Sequence, residues 1–343
     1  MDLQKDERGD VPMIEKFPKK FALLSLCASL SMIGTANVAH AQADYPNQAI
    51  RVIVPFAPGG STDIVARIVT KGMSEVLGQS MVIENKGGAG GAIGAAEAAR
   101  AKPDGYTLSI ATVSTLAVNP ACRPNDLPYD PLKDFLPVSN FANLPNVIEV
   151  NPKFPAQNFK EFVQQLKDNP GKYSYGSSGT CSVLHLFGEA FKLATGTDIV
   201  HVPYRGSGPA VTDAVGGQIN AMFDNLPSSM AQIQAGNLRA LAIAWPERLP
   251  ALKDVPTLAE EGYPQLNSPA WYGLLAPKGT PPEIVAKLHA AAVEALKKPE
   301  IIAALEKQGA TPSGNSPQEF AKEIKEQYDW AHDVVKKGNI KLE

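Results

Sequence analysis

The stretch "VPFAPGGSTDIVAR", Val54–Arg67, decides the fold. An apolar run (Ile50, Val52, Ile53, Val54) meets a Pro58-Gly59-Gly60 turn and then the apolar spacing of a helix. Strand, glycine turn and helix start form a natural anion cradle. Glycines let the backbone approach a ligand, Ser61, Thr62 or Asp63 can cap the helix, and unpaired N–H groups carry the positive end of the helix dipole. Three anions fit this pattern: a nucleotide phosphate, the oxyanion of a hydrolytic intermediate, or the carboxylate of a small solute. A phosphate loop would require G-x-x-x-x-G-K-[ST], and this turn is too short and has no lysine there. A plain helix start after a tight turn accounts for the residues equally well.

Outward from this stretch the same alternation continues. "TDIVARIVTKGMSEVLG" reads as an amphipathic helix, "SMVIENK" as a second strand, "GAIGAAEAARAKP" as a small-residue helix and "GYTLSIATV" as a third strand. Repeated β-α-β units predict a parallel sheet with helices on both faces. After a proline-rich segment, "VNPACRPNDLPYDPLKDFLPV", the strand "NVIEVNP" opens a second alternating block that runs to "LRALAIA". "PAWYGLLAPKG" is a further strand, and two helices are expected to close the chain, "PEIVAKLHAAAVEALKKP" and "SPQEFAKEIKEQYDWAHDVVKKG". The expected fold class is α/β with two lobes, each a mixed sheet flanked by helices, joined by two crossover strands. A crossover near Val147–Val150 and a return near Trp271 make the first lobe discontinuous, residues 44–147 plus 268–343, with 148–267 as the second. Ligands of such sheets sit beyond the carboxyl ends of the strands, so two facing lobes would enclose them in a cleft.

Three further junctions repeat the strand-to-helix logic. "KGGAGGAIGAA" (86–96) spaces its glycines one residue too widely for a dinucleotide fingerprint, and tight helix–sheet packing explains them better. "YGSSGTCSVLHLFGEAF" (175–191) offers Ser177, Ser178, Gly179, Thr180 and Ser182, whose hydroxyl and N–H groups suit carboxylate oxygens. It misses the G-x-S-x-G nucleophile elbow, which weakens a triad of Ser177 or Ser178 with His185 and Asp224. His185 reads equally as a helix-packing residue. "HVPYRGSGPAVTD" (201–213) places Tyr204, Arg205 and Gly206 before another helix; Arg205 could grip a carboxylate or be a surface cation. "MFDNLPS" ends a strand at Asp224-Asn225, suited to an amine-bearing ligand or to capping. His185, His201, His289 and His332 lack ligand-like spacing, so neither metal nor cofactor is expected.

The 343-residue length accommodates two domains, and a net charge of −3 without basic blocks argues against nucleic-acid partners. Lys16, Lys19 and Lys20 precede a short apolar run and then "GTANVAHAQADYP", the pattern of a cleavable secretory signal cut after Ala41 or Ala43. Residues 1–43 are therefore expected to be a signal segment, with the acidic first twelve residues a spurious extension and Met13 the true start. Leu26 before Cys27 argues against a lipoprotein. The expected location is the periplasm, where Cys122 and Cys181 would form one disulfide, closing a loop of about 60 residues; two unpaired thiols are the alternative.

Taken together, "YPNQAIRVIVPFAPGGSTDIVAR", "VIENKGGAGGAIGAAEAARAKPDGYTL", "LPYDPLKDFLPV", "NPGKYSYGSSGTCSVLHLFGEAF", "HVPYRGSGPAVTDAVGGQINAMFDN", "DVPTLAEEGYP" and "WYGLLAPKGTP" span nearly the whole mature chain. In this order they resemble the tripartite tricarboxylate transporter receptors, the Bug/TctC-like periplasmic binding proteins. The resemblance implies a Venus-flytrap fold, a monomer, capture of a small carboxylate (a di- or tricarboxylate, an amino-acid-like or an aromatic acid) and delivery to membrane transporter subunits. It implies a first-lobe grip by Phe56, Ala57, Pro58, Gly59, Gly60 and Ser61, with Ser114, Thr115 and Asn119 nearby. Second-lobe contacts would come from Ser177, Ser178, Gly179, Thr180, Cys181, Ser182, Tyr204, Arg205, Gly206 and Asp224, with His185 beside them. Cysteines at 122 and 181 depart from the family pattern, and the resemblance puts one on each side of the cleft, where a bond would tie the lobes. A sensor-only binding protein feeding a signalling partner and a secreted serine hydrolase stand as alternatives.

Overall fold

The quoted strand is the middle of a sheet. In the computed structural model, which describes residues 45–340, Ile50–Val54 (β1) lies between Met81–Asn85 (β2) and Thr107–Thr112 (β3), parallel to both. The expected signal segment and the start at Met13 lie outside the described residues. All the elements below belong to the compact unit that begins at Gln48. Ile50, Val52, Ile53 and Val54 are fully buried, as a central parallel strand covered on both faces requires. The helix Ser61–Leu77 carries the chain from β1 to β2 and stops at Gly78, whose φ of 67° ends the helix in the left-handed region. The small-residue helix Ala92–Ala99 returns it to β3. Its Gly94 is obligatory: a Cβ there would lie 2.8 Å from the Lys86 carbonyl oxygen and from Pro55 Cα. The glycine run therefore packs helix against strand, as its sequence suggests.

The remaining strands are Phe135–Leu144 (β4), Asn146–Val150 (β5), Ser174–Ser177 (β6), Val200–Pro203 (β7), Ala221–Asn225 (β8), Arg239–Ala244 (β9), Ala270–Pro277 (β10) and Thr311–Pro312 (β11). They form two mixed sheets with strand orders β11-β4-β10-β3-β1-β2 and β7-β6-β8-β5-β9. The chain leaves the first sheet at Leu144, turns through Pro145, enters the second at Asn146 and returns at Ala270.

Two elements differ from expectation. The proline-rich text hides β4, a ten-residue strand antiparallel to β10, with Pro137 opposite Leu275 at a register irregularity where a missing N–H is tolerated. The chain also closes with three helices rather than two, because Pro299 starts its own helix, Pro299–Lys307, between Pro282–Leu296 and Pro317–Lys337.

One face of the second sheet buries an aromatic core of Phe159, Phe162, Phe191, Phe223 and Tyr175 beneath the helices Phe159–Asp168 and Val183–Thr195. The other face packs Met222, Val147 and Ile243 beneath the helix Ser207–Gly216 and the segment around Leu226 and Met230.

Candidate functional site

Three helices begin where the strand ends of the two sheets face each other. The helix Ser61–Leu77 starts after Gly60, and Ser207–Gly216 after Gly206; neither cap residue has a side chain that could satisfy the first N–H groups. Asp63 instead accepts from the Gly59 N–H at 3.0 Å and is held by Arg67 and Asn85, which rigidifies the turn and keeps its carboxyl below the usual carboxylate range despite burial. The third helix, Val183–Thr195, is capped by Ser182, whose hydroxyl accepts from the His185 N–H. Val183 N–H donates across the cleft to Ser114 Oγ at 2.9 Å.

A narrow cavity lies between these starts, lined by Phe56, Gly60, Ser61, Thr62, Thr112, Ser114, Ser178, Ser207, Asn225 and Tyr272. It is polar without being charged: six hydroxyl side chains of Ser and Thr plus one amide and one phenol, no lysine, arginine or carboxylate. Its volume, about 10 Å³ for the centre of a water-sized molecule, corresponds to roughly one water. A larger, wide-open groove of about 770 Å³ lies elsewhere, beside Arg51, Glu97, Arg100 and Tyr106. Ion pairs of Arg51 with Glu84 and Glu97 occupy that surface.

The two sides are drawn together by direct bonds. Ser61 Oγ donates to the Asn225 carbonyl (2.6 Å) or to Ser228 Oγ (2.8 Å), and Ser228 N–H donates back to Ser61 Oγ. Tyr272 OH donates to Asn225 Oδ1 at 2.7 Å, and Ala57 N–H donates to the Arg205 carbonyl at 3.0 Å. Glycine makes the approach possible. A Cβ on Gly208 would lie 2.3 Å from the Pro58 carbonyl oxygen, and one on Gly90 2.5 Å from that of Thr180. A disulfide joins Cys122 to Cys181, with Cα atoms 6.0 Å apart.

The expected site residues divide accordingly. Phe56, Gly60, Ser61, Ser114 and Ser178 line the cavity. Ala57, Pro58 and Gly59 form its rim, Pro58 and Gly59 exposed. Thr115 faces back toward Thr112, to which its hydroxyl bonds, and Asn119 is buried, its amide donating to the Gly90 and Ser114 carbonyls. Gly179, Thr180 and Cys181 form the loop over Gly90; Cys181 adopts a φ of 63° that suits glycine better than any L-residue. Tyr204 donates to Asp213, and Gly206 lets the backbone pass Ala57 closely. Arg205 offers its carbonyl while its side chain is exposed.

The triad weighed for the hydrolase alternative is not assembled. Ser177 Oγ lies 2.6 Å from His201 Nε2, not beside His185, and is fully buried. His185 stacks on His201 at 3.8 Å between ring centroids and takes the Cys181 N–H on Nδ1. Burial lowers the two histidines to about 4 and about 3, so both are neutral packing residues near neutral pH. Asp224 occupies the other face of β8, since successive residues of a strand alternate and its neighbour Phe223 packs on Tyr175. Asp224 is fully buried behind Ser207 and Ser228 and does not line the cavity.

Sequence reading missed Thr62, Thr112, Ser207, Asn225, Ser228 and Tyr272 as site residues. Tyr272 hides in an apolar strand, whereas Asn225 and Ser228 sit in "FDNLPS", whose strand-to-turn position was the available signal.

Residues 65–340 match the family described as tripartite tricarboxylate transporter family receptor. Protein BugT of Bordetella pertussis is 40% identical over 313 residues, 90% of this chain and 96% of that protein. A solved structure described as a periplasmic transporter is 76% identical, with a TM-score of 0.87, covering 88% of this chain and all of the other. Two Rhodopseudomonas palustris proteins are each 36% identical and cover 85% of this chain. MatC with bound malate has a TM-score of 0.81 over 100% of its length, and Rpa4515 with adipate 0.82 over 98%. No helix among the described residues is long and apolar enough to cross a membrane.

Proposed function

The chain belongs to the tripartite tricarboxylate transporter receptor family, and from that premise we propose that it captures a small dicarboxylate outside the cytoplasm and presents it to membrane transporter subunits. The moving parts are residues 48–144 plus 270–340 on one side and 146–269 on the other, with the crossover at Pro145 rather than near Val147–Val150. The observation that carries this reading is the convergence of two helix starts, at Ser61 and Ser207, on one cavity that is lined by hydroxyl, amide and phenol groups and by no charged side chain. N–H groups at helix starts and neutral hydroxyls bind a carboxylate without a fixed counter-charge, because each supplies a partial positive charge aimed at the same point. Relatives whose structures hold malate and adipate support the solute class.

The cavity is too small for a whole dicarboxylate, so the halves must part to admit one and close around it. The bonds of Ser61 with Asn225 and Ser228 are the closing contacts. Phe56, Gly60, Ser61 and Ser114 hold the solute from the first side, Ser178 and Ser207 from the second.

A thermal-shift screen of the mature protein against di- and tricarboxylates, amino acids, aromatic acids and neutral sugars tests the reading. A ligand at a hundred times its Kd stabilises the fold by about 2.7 kcal/mol, a readily measured shift. Carboxylates should raise the midpoint. A rise with neutral sugars alone would overturn the reading.

A further inference from the structure

A chain of hydrogen bonds leaves the cavity wall and ends on the peptide backbone. Tyr272 OH donates to Asn225 Oδ1 at 2.7 Å, Asn225 Nδ2 donates to Asn146 Oδ1, and Asn146 Nδ2 donates to the Ser268 carbonyl at 2.8 Å. All three side chains are buried. Tyr272 and Asn225 line the cavity, and Asn146 does not.

The last bond fixes the sense of the others. A peptide carbonyl can only accept, so Asn146 must turn its NH2 group to Ser268 and its oxygen to Asn225. Asn225 then turns its own NH2 group to Asn146 and its oxygen to Tyr272. Facing an oxygen that cannot donate, the phenol gives up its one proton. Burial suppresses the ionisation of Tyr272, so that proton is present near neutral pH. The chain also holds this sense as the halves part. Asn146 follows the crossing at Pro145, Leu226 N–H donates to the Pro145 carbonyl, and Ser268 precedes the crossing into β10. Atoms beside the two crossings move least in a rotation about them.

The Tyr272 oxygen therefore has only lone pairs left for the cavity. Ser61 is in the same condition, because its proton goes to the Asn225 carbonyl or to Ser228 Oγ. Donors stand elsewhere on the wall. Ser114 Oγ accepts from Val183 N–H and, among the described residues, gives its own proton to none. Unpaired N–H groups open the helices at Ser61 and Ser207. A carboxylate has acceptors alone and suits those donors, but at Tyr272 its oxygen would meet another lone pair. The wall is matched to a solute that carries a donor beside its carboxylate. Resting on the carboxylate reading above, we infer that Tyr272 is a specificity-determining residue that accepts a hydrogen bond from a hydroxyl or ammonium group of the solute. The site thereby selects hydroxy- and amino-dicarboxylates over unsubstituted ones of the same length, which would leave the Tyr272 oxygen buried and unpaired. Kinship leaves this choice open: the malate held by MatC carries a hydroxyl, and the adipate held by Rpa4515 carries none.

The test is calorimetric titration of the mature protein with succinate, malate and aspartate, which share one carbon skeleton and carry hydrogen, hydroxyl or ammonium beside a carboxylate. Malate or aspartate should bind at least roughly tenfold more tightly than succinate, and the tighter of the two identifies the donor. Tyr272→Phe should erase most of that ratio. A merely structural tyrosine would weaken all three acids alike and leave the ratio unchanged. Asn146→Leu acts from outside the cavity. It lets Asn225 turn its amide and returns a proton to Tyr272, so the ratio should narrow here too, and this variant decides if Tyr272→Phe fails to fold. Succinate binding as tightly as the other two overturns the proposal, as does a ratio that persists in the folded variants. Failure of all three acids to bind overturns it as well. In that case a carboxylate of another size that raises the melting midpoint would keep the carboxylate reading, and the lack of any such acid would remove both.

Discussion

Cys122 and Cys181 form a disulfide between the end of the short helix Asn119–Cys122 that follows β3 of the first sheet and the loop that follows β6 of the second, 59 positions apart in the sequence. Among the described residues the chain itself crosses between the two sheets at Pro145 and before Ala270. A third covalent tie restricts how far the cleft can open. Denatured, unreduced protein should show no reactive thiol from this pair. The chain-entropy model assigns such a loop roughly 4 kcal/mol of stability. A Cys122→Ser/Cys181→Ser double variant should melt lower and release a bound carboxylate faster. Unchanged midpoint and off-rate would contradict the tie.

Gly208 tests closure separately from folding. It lies in the first turn of a helix, where alanine is favoured by up to about 1 kcal/mol. Its missing side chain leaves room for the Pro58 carbonyl across the cleft. Gly208→Ala should therefore keep or raise the melting midpoint of ligand-free protein while weakening carboxylate binding at least tenfold. Loss of both together would mean that the glycine serves the fold.

Ser61→Ala removes the hydroxyl that accepts from Ser228 N–H and donates to Asn225 or Ser228. Orphaning those groups in the closed form costs about 1–2 kcal/mol, or roughly tenfold in affinity. Titration of the variant with malate measures it, and an affinity equal to wild type would remove Ser61 from the closing contacts.

The fold was legible from β1 outward because the apolar runs, glycine turns and amphipathic helices of Ile50–Thr112 follow their periodicities without conflict. β4 was not, since Pro137 masks a strand that tolerates it at one irregular position. The helix starts at Ser61, Val183 and Ser207 were visible as motifs. Their meeting was not, because it depends on Gly90, Gly206 and Gly208 letting loops distant in sequence touch. Glu149 was illegible for another reason: in "NVIEVNP" it reads as the exposed position of an alternating strand, while β8 and β9 flank that strand and bury it completely.

His185 and His201 give the protein an acid limit. Burial lowers both below their ordinary value, so the stability they contribute is present above about pH 6.5 and is lost as pH falls toward about 4 and about 3. His201→Gln, which can still bond Ser177, should melt less steeply with acidification below about pH 6. A wild-type-like acid profile for this variant would show that the limit lies elsewhere.

The most direct measurement compares calorimetric titrations of the mature protein with a dicarboxylate and with its diamide, which matches it in size and shape but carries no charge. Helix starts and hydroxyls aimed at an anion should bind the dicarboxylate and leave the diamide without measurable heat. Equal binding of both, or binding of the diamide alone, would contradict the carboxylate grip at Gly60, Ser114 and Ser207.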